Sequence, residues 1–103
     1  MVISTLRRHT TITKPEEWST REAALLARLR PHLERQPGFV SHELRREGES
    51  GGMVEVTCWQ STEHCRAYLR NGAAATAATM LDGFFPTAAF PNGNWLRETV
   101  ERA

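Results

Sequence analysis

The sequence is poor in lysine and has no long apolar run. Twelve arginines stand against a single lysine, Lys14, in a chain of 103 residues with a formal net charge of +1. So balanced a charge gives no bulk attraction to nucleic acid or to an anionic membrane, and we expect neither as a partner. No apolar stretch approaches the roughly 20 residues that a membrane-spanning helix requires.

Cysteine is also scarce. The two cysteines, Cys58 and Cys65, do not form a Cys-x-x-Cys pair, and the four histidines show no metal-ligand spacing on one element. The N-terminal residues lack the charged-then-apolar order of a secretory signal peptide. We therefore expect a cytoplasmic protein that binds no metal and no cofactor.

The first half of the chain predicts a strand and a helix. Alternating β-branched residues predict a strand at 2–12, and leucines at helical spacing predict a helix to about residue 36. Thr13 and Glu16 have the spacing of a capping box around Pro15. Pro31 is expected to kink or restart the helix.

The second half predicts a hairpin, two helices and a last strand. Strands are predicted at 39–46 and 53–60 on either side of a glycine-rich loop at 47–52. Ser61 is the predicted N-cap of a helix through residue 71, and an alanine-rich helix follows at 73–81. The last strand is predicted at 95–100. Residues 84–92 predict an ordered apolar loop, either a lid over a ligand or a plug that completes a small core.

The element order β-α-β-β-α-(α)-β predicts one α+β domain over residues 1–103. Such an order gives a ferredoxin-like, four-stranded antiparallel sheet with both helices on one face. The other face would then lie bare, and the identical face of a two-fold partner is its simplest cover. The sequence therefore predicts a homodimer.

Alternation along the third strand separates two sets of side chains. One set is mixed and suits a ligand pocket: Met53, Glu55, Thr57 and Trp59. The other is apolar and suits a dimer core: Val54, Val56 and Cys58. Trp59 would either offer a flat wall to an aromatic ligand or brace the second helix. Glu55 is costly to bury unless it pairs with an arginine or has a function.

The helical period directs several polar residues of the second helix toward the same place. His64, Cys65 and Tyr68 share one face with Ser61, so His64 and Tyr68 should point where Trp59 does. His64 is either a general base or an ordinary, hydrogen-bonded histidine. His9 and His42 could face either side of the sheet, because the alternation of side chains along a strand does not by itself fix which side they face.

Three stretches resemble the antibiotic biosynthesis monooxygenase family. Residues 36–44 (QPGFVSHEL) are similar to its helix stop and second strand, residues 54–59 (VEVTCW) to its third strand, and residues 61–69 to the following helix. The resemblance implies a dimeric α/β barrel with a ligand pocket in each subunit, between helices and sheet. It also implies oxidation of fused aromatic polyketides without metal, flavin or haem, although other relatives degrade haem or isomerise lactones.

Two positions depart from familiar members of that family. Glu55 stands four residues before the tryptophan, where the oxygenases usually have asparagine, and a carboxylate can act as a base whereas an amide cannot. Tyr68 stands where haem-degrading relatives place an iron-binding histidine, so the resemblance argues against haem degradation.

The leading hypothesis is a cofactor-independent monooxygenase, or a related tailoring enzyme of secondary metabolism, with a polycyclic phenolic substrate and O₂. Its candidate catalytic residues are Glu55, His64 and Tyr68, and its candidate substrate-binding residues are Trp59, Thr57, Cys65, Phe84 and Phe85. The alternatives are a non-oxidative cyclase or isomerase on the same scaffold, and a non-catalytic small-molecule-binding protein.

Overall fold

The computed structural model describes residues 1–49, 51–87 and the backbone of residues 96–101. Its elements are β1 (Val2–His9), α1 (Pro15–Glu34), β2 (Phe39–Glu47), β3 (Gly52–Trp59), α2 (Thr62–Arg70), α3 (Ala73–Phe84) and β4 (Leu96–Glu101). The strands form one antiparallel sheet in the order β2-β3-β1-β4. This is the ferredoxin-like α+β arrangement that the element order predicted.

Helix α1 begins at a proline, but its predicted capping box is wrong. Lys14 is the N-cap residue, its carbonyl accepts from the Trp18 amide at 2.9 Å, and no side chain caps the helix. A residue before proline is held in extended backbone, which places the cap at Lys14 and leaves Thr13 outside the helix. Pro31 lies inside the helix, which continues without interruption to Glu34.

Helices α2 and α3 are separated by a single turn. Ser61 is the N-cap of α2, as predicted, and its hydroxyl accepts from the His64 amide at 3.2 Å. Gly72 has φ +88°, a left-handed conformation that side chains rarely adopt, and it lets the chain turn directly into α3. Helix α3 extends three residues beyond the predicted end, to Phe84.

An irregularity in β2 decides which of its side chains face the helices. The register shifts between Phe39 and Ser41, and Val40, which lies in the bulge, is exposed. Phe39 therefore lies opposite Trp59, and His42 lies opposite Thr57. Because a bulge adds one residue to the strand, Phe39 and His42 share the inner face although their numbers differ in parity.

The helices cover one face of the sheet, here called the inner face. Helix α1 packs against β2 and α3, while α2 packs against β1, β3 and α3. The opposite, outer face carries half-buried residues at its centre, which form what we call the outer patch (Ile3, Thr5, Val56 and Cys58). No helix in the described part of the chain combines the length and hydropathy needed to cross a membrane.

The C-terminal end of α3 is held by donors from three other segments. Arg8 donates to the Phe85 carbonyl at 2.9 Å, and Arg21 donates to the Phe84 carbonyl at the same distance. The Pro86 carbonyl accepts from the Thr10 hydroxyl at 2.7 Å and from the Thr11 amide at 3.0 Å. These bonds fix where the chain leaves the helix.

Candidate functional site

The inner face of β3 carries the predicted pocket residues, and all of them are buried. Glu55, Thr57 and Trp59 alternate with outward-facing neighbours and are at most 3% exposed. With a rise of about 3.3 Å per residue, Glu55 and Trp59 stand about 13 Å apart along the strand. The inner face therefore has a polar end at Glu55 and an aromatic end at Trp59.

Trp59 forms the centre of an aromatic cluster. Its ring lies 4.5 Å from that of Tyr68 on α2, tilted by 31°, and 5.7 Å from that of Phe39, nearly edge-on. The indole Nε1 donates to the Thr57 hydroxyl at 3.0 Å. Trp59 therefore braces α2 against the sheet, and the helical period correctly predicted that Tyr68 faces it.

Thr57 and Cys65 complete the surroundings of this cluster. Thr57 is fully buried, and its hydroxyl approaches the Ser4 carbonyl at 3.5 Å while it accepts from Trp59. Cys65 forms no disulfide, and its thiol is buried in the hydrophobic core. Both residues are packed with the core, and neither is exposed to solvent at the aromatic end.

The polar end contains a buried pair of ionisable groups. His42 Nε2 and Glu55 Oε2 are 3.1 Å apart, and the two side chains are only 2% and 3% exposed. The other ring nitrogen, His42 Nδ1, is buried and has no hydrogen-bond partner among the described residues. A carboxylate and an imidazole in contact inside a core are the components of a general acid–base pair.

Charged groups flank this pair on both sides. Arg8 on β1 is 1% exposed and donates to Asp82 at 2.6 Å. Burial lowers the pKa of the Arg8 guanidinium, whereas the negative charges of Asp82 and Glu55 act to raise it. On α1, partial burial raises the pKa of the Glu22 carboxyl, against the opposing charges of Arg30 and His42. His42 thus faces carboxyl groups from two different elements.

His64 is engaged at the beginning of α2. Its Nδ1 lies 2.8 Å from the Ser61 hydroxyl. A Cβ at Gly38 would lie only 2.2 Å from His64 Cγ, so the imidazole packs directly on the turn after α1. No hydrogen bond or ion pair joins His64 to Glu55 in the described part of the chain. The structure therefore does not bring these two predicted catalytic residues together.

Two of the three phenylalanines of the predicted apolar loop, Phe84 and Phe85, belong to α3 and its end. Phe84 is the last helical residue, and Phe85 is fully buried with its ring 5.0 Å from that of Trp18. The expectation that the loop begins at residue 84 is therefore wrong, because the alanine-rich helix continues through that position. Phe85 fills the core as a plug, and residues 88–92 of the predicted loop lie outside the described residues.

Sequence reasoning missed His42, Trp18 and Arg8. Strand alternation counted forward from Phe39 assigns His42 to the wrong face, because the bulge adds one residue between them. Alternation counted back from the buried Leu44 would have placed His42 on the inner face. Trp18 is buried with an indole Nε1 that has no hydrogen-bond partner within the described ranges. No local pattern marks Arg8, because its partner Asp82 is 74 residues away in sequence.

Fold and site together define a small ferredoxin-like domain with a buried acid–base pair between helices and sheet. The family model for antibiotic biosynthesis monooxygenase matches residues 5–79. The chain belongs to the antibiotic biosynthesis monooxygenase family, as the resemblance of its motifs predicted. Among the described residues, no group of three or more His, Cys, Asp or Glu side chains is arranged to hold a metal ion.

Solved structures of similar fold include characterised oxygenases. SnoaB, a cofactor-independent oxygenase from Streptomyces nogalater, has a TM-score of 0.57 and 24% identity over 99% of this chain and 94% of its own. The ActVA-Orf6 monooxygenase of Streptomyces coelicolor, in complex with nanaomycin D, has a TM-score of 0.67 and 13% identity over 99% and 87%.

The same fold also occurs without a stated activity. A Nitrosomonas europaea protein of unknown function has a TM-score of 0.63 and 19% identity over 98% of this chain and 87% of its own. No curated protein matches the chain in sequence. At these identities the likeness establishes the fold, and the activity has to be argued from the site.

Proposed function

We propose that this protein is a cofactor-independent monooxygenase, or a closely related tailoring enzyme of secondary metabolism, acting on a polycyclic phenolic substrate. The observation that carries the proposal is the His42–Glu55 pair, which is buried on the same face of the sheet as the aromatic cluster. An ionisable pair in a core costs free energy that apolar side chains would not. Its retention beneath the helices favours a chemical role.

The proposed reaction needs no external reductant, because the substrate supplies the electrons. Proton removal from a phenol or an activated C–H leaves a delocalised anion, which passes one electron to O₂. The two radicals combine to a peroxide, which loses water to leave a quinone. One oxygen atom enters the ring, and the other leaves as water with two substrate hydrogens. The protein has to orient the rings, accept the proton and exclude bulk water.

We assign parts of this task to different ends of the inner face. Trp59 and Tyr68 provide flat rings against which an aromatic substrate would stack, and the Tyr68 hydroxyl would bond a ring oxygen. Because both side chains are at most 1% exposed, substrate entry requires α2 to move away from the sheet. The His42–Glu55 pair would accept the proton at the polar end.

Oxygen isotope incorporation tests the proposal. The probe is 1,8-dihydroxyanthrone, a three-ring phenol with an activated methylene, incubated with protein under ¹⁸O₂. We expect one ¹⁸O atom in the anthraquinone product and one O₂ consumed per substrate, at a rate well above the reaction without protein. Conversion of related polycyclic phenols without label would instead support a non-oxidative cyclase or isomerase.

The closed packing at the aromatic end favours one alternative, a non-catalytic small-molecule-binding protein. Trp59, Thr57 and Tyr68 fill the space that a pocket would occupy. If the protein binds 1,8-dihydroxyanthraquinone, measured by quenching of tryptophan fluorescence, but never accelerates oxygen uptake, this alternative replaces the proposal.

We also propose that the protein acts as a homodimer in the cytoplasm. The outer patch is apolar and half-buried, and the exposed charged side chains of Arg7, Glu43 and Arg45 surround it. A two-fold partner that presents the same patch would cover it with matching apolar surface. Cys58 and Cys65 form no disulfide, which is compatible with a reducing compartment.

A further inference from the structure

The two ring nitrogens of His42 have different surroundings. Nε2 is 3.1 Å from Glu55 Oε2, whereas Nδ1 is buried without a hydrogen-bond partner in the described part of the chain. An ionised carboxylate only accepts hydrogen bonds, so a neutral His42 must carry its proton on Nε2 and donate it to Glu55. Nδ1 is then an unprotonated acceptor with a free lone pair, held in a fixed direction.

Glu55 stands between two basic side chains. Arg8, Glu55 and His42 lie on β1, β3 and β2, three adjacent strands, and form a diagonal row across the inner face. The Arg8 guanidinium is buried and interacts electrostatically with Glu55. Protonation of Glu55 would weaken both its interaction with Arg8 and its bond to His42. Glu55 is therefore poorly suited to take a proton from a substrate.

Two carboxyl groups face His42. Glu55 on β3 contacts its Nε2, and Glu22 on α1 interacts with it electrostatically. Arg8 interacts with Glu55, and Arg30 interacts with Glu22. A proton taken up at Nδ1 leaves the hydrogen bond between Nε2 and Glu55 in place.

The register places His42 between Glu55 and the aromatic cluster. It lies opposite Thr57, whose hydroxyl accepts from Trp59 Nε1. We infer that His42 accepts the substrate proton at Nδ1 and that Glu55 is a positioning residue that fixes its tautomer. The inference rests on the function proposed above. The electron pair stays on the substrate as phenolate or carbanion, and the imidazolium later returns its proton when the peroxide loses water.

Two variants separate these roles in the anthrone oxidation. His42→Gln keeps an N–H donor toward Glu55 and removes the basic nitrogen, whereas Glu55→Gln keeps an acceptor and removes the charge. We expect His42→Gln to lower kcat by about 10²–10⁴ and to abolish the rise of the rate with pH that a general base produces. Glu55→Gln should retain that rise, because the basic nitrogen of His42 remains in place.

Other outcomes overturn the inference. If Glu55→Gln removes the rise with pH and His42→Gln keeps it, Glu55 is the base. If the loss is confined to His64→Gln, the base lies on α2. His9→Gln, which alters a histidine on the outer face, is the control and should leave turnover and the pH profile unchanged. Circular dichroism of each variant verifies that it is folded.

A second measurement needs only the wild-type protein. In ¹⁵N NMR of the histidine rings, we expect His42 to carry its proton on Nε2, and 1,8-dihydroxyanthraquinone to shift the Nδ1 resonance. A proton on Nδ1 overturns the inference whether or not the protein is an enzyme. A shift at Nδ1 without any oxygen uptake refutes the proposed function and the proton transfer, and leaves Nδ1 as a ligand-binding atom. Normal turnover by His42→Gln refutes the inference alone.

Discussion

Single residues on the inner face show how much an ionisable group in a core depends on its partners. His42 and Glu55 occupy core positions that apolar side chains could also fill, and Leu6 and Leu44 lie opposite Glu55 on the neighbouring strands. Each compensates the desolvation of the other only while both are present. This reciprocity can be measured separately from any activity.

A double-mutant cycle on this pair makes the first prediction. Glu55→Met alone leaves His42 without its carboxylate partner and removes the attraction of Glu55 for Arg8, and we expect it to lower the free energy of unfolding by about 3–5 kcal/mol. The double variant Glu55→Met with His42→Leu should be close to the wild type or more stable. Urea denaturation gives the free energy of unfolding of the wild type, of Glu55→Met, of His42→Leu and of the double variant. Glu43→Met, at an exposed position on the other face, is the control and should change stability by about 0.5 kcal/mol or less.

The second prediction concerns Glu22 and pH. Burial raises the pKa of its carboxyl in the folded state, so its contribution to stability is fully present below the unfolded pKa of about 4.3 and is lost as the pH rises through the raised value. Glu22→Gln should therefore match the wild type near pH 3.5 and be the more stable protein at pH 7. Thermal unfolding across this range measures the difference. A constant difference at all pH values would contradict the prediction, and Glu49→Gln in the exposed hairpin turn is the control.

At the scale of elements, one buried arginine ties the end of α3 to the first strand. Arg8 donates to Asp82, to the Phe85 carbonyl and to the Thr87 hydroxyl at 2.6, 2.9 and 2.7 Å. The segment that follows α3 thus leaves from a point fixed on the sheet. Arg7, its neighbour on the outer face, forms an exposed ion pair with Glu47 instead.

This contrast makes the third prediction. Arg8→Met leaves several polar groups at the end of α3 without their donor, and we expect it to destabilise the fold by about 1–3 kcal/mol. Hydrogen exchange should accelerate most in the last turn of α3. Arg7→Met removes a solvent-exposed pair and should cost about 1 kcal/mol or less. Equal costs for the two variants would show that the contacts of Arg8 at the end of α3 add nothing measurable.

The sequence predicted those elements whose determinants are local. Ser61 caps α2 because its hydroxyl needs only the amide three residues on, and the alternation of β3 follows from the period of a strand. The start of α1 was misassigned because Pro15 fixes the backbone of the residue before it. The face of the sheet on which His42 lies depends on the bulge at Val40. A bulge of this kind cannot be predicted from the alternation of residues along the strand.

The candidate site was predicted less well than the fold, for a related reason. Glu55, Thr57 and Trp59 share one strand, so their common face follows from alternation. The partner of Glu55 lies on another strand, and the charge of Arg8 reaches it from a third. Such pairs form only when the sheet is assembled, and no spacing within one element encodes them.

At the scale of the whole molecule, the proposed homodimer depends on the outer patch. In the register of β1 and β3, Ile3 lies opposite Cys58 and Thr5 lies opposite Val56, so the four residues form a continuous surface. They are half-buried in a single subunit, whereas the inner-face residues of β3 are fully buried beneath the helices. A domain of about 100 residues has a small core of its own, so covering a second sheet face would add substantially to its stability.

The last prediction is that folding and dimerisation of this chain are one transition. A glutamate at Val56 would stand at the centre of the outer patch. In a dimer that patch is the interior of a continuous core, where an unpaired charge is too costly to bury. We expect Val56→Glu to lose the folded circular dichroism spectrum, and the wild type to sediment as two chains at micromolar concentration.

Val40→Glu is the matched control, since Val40 is 43% exposed in the bulge of β2 and should accept the charge. A wild-type chain that sediments as a stable, folded monomer, or a Val56→Glu variant that folds normally, would show that the outer patch needs no partner.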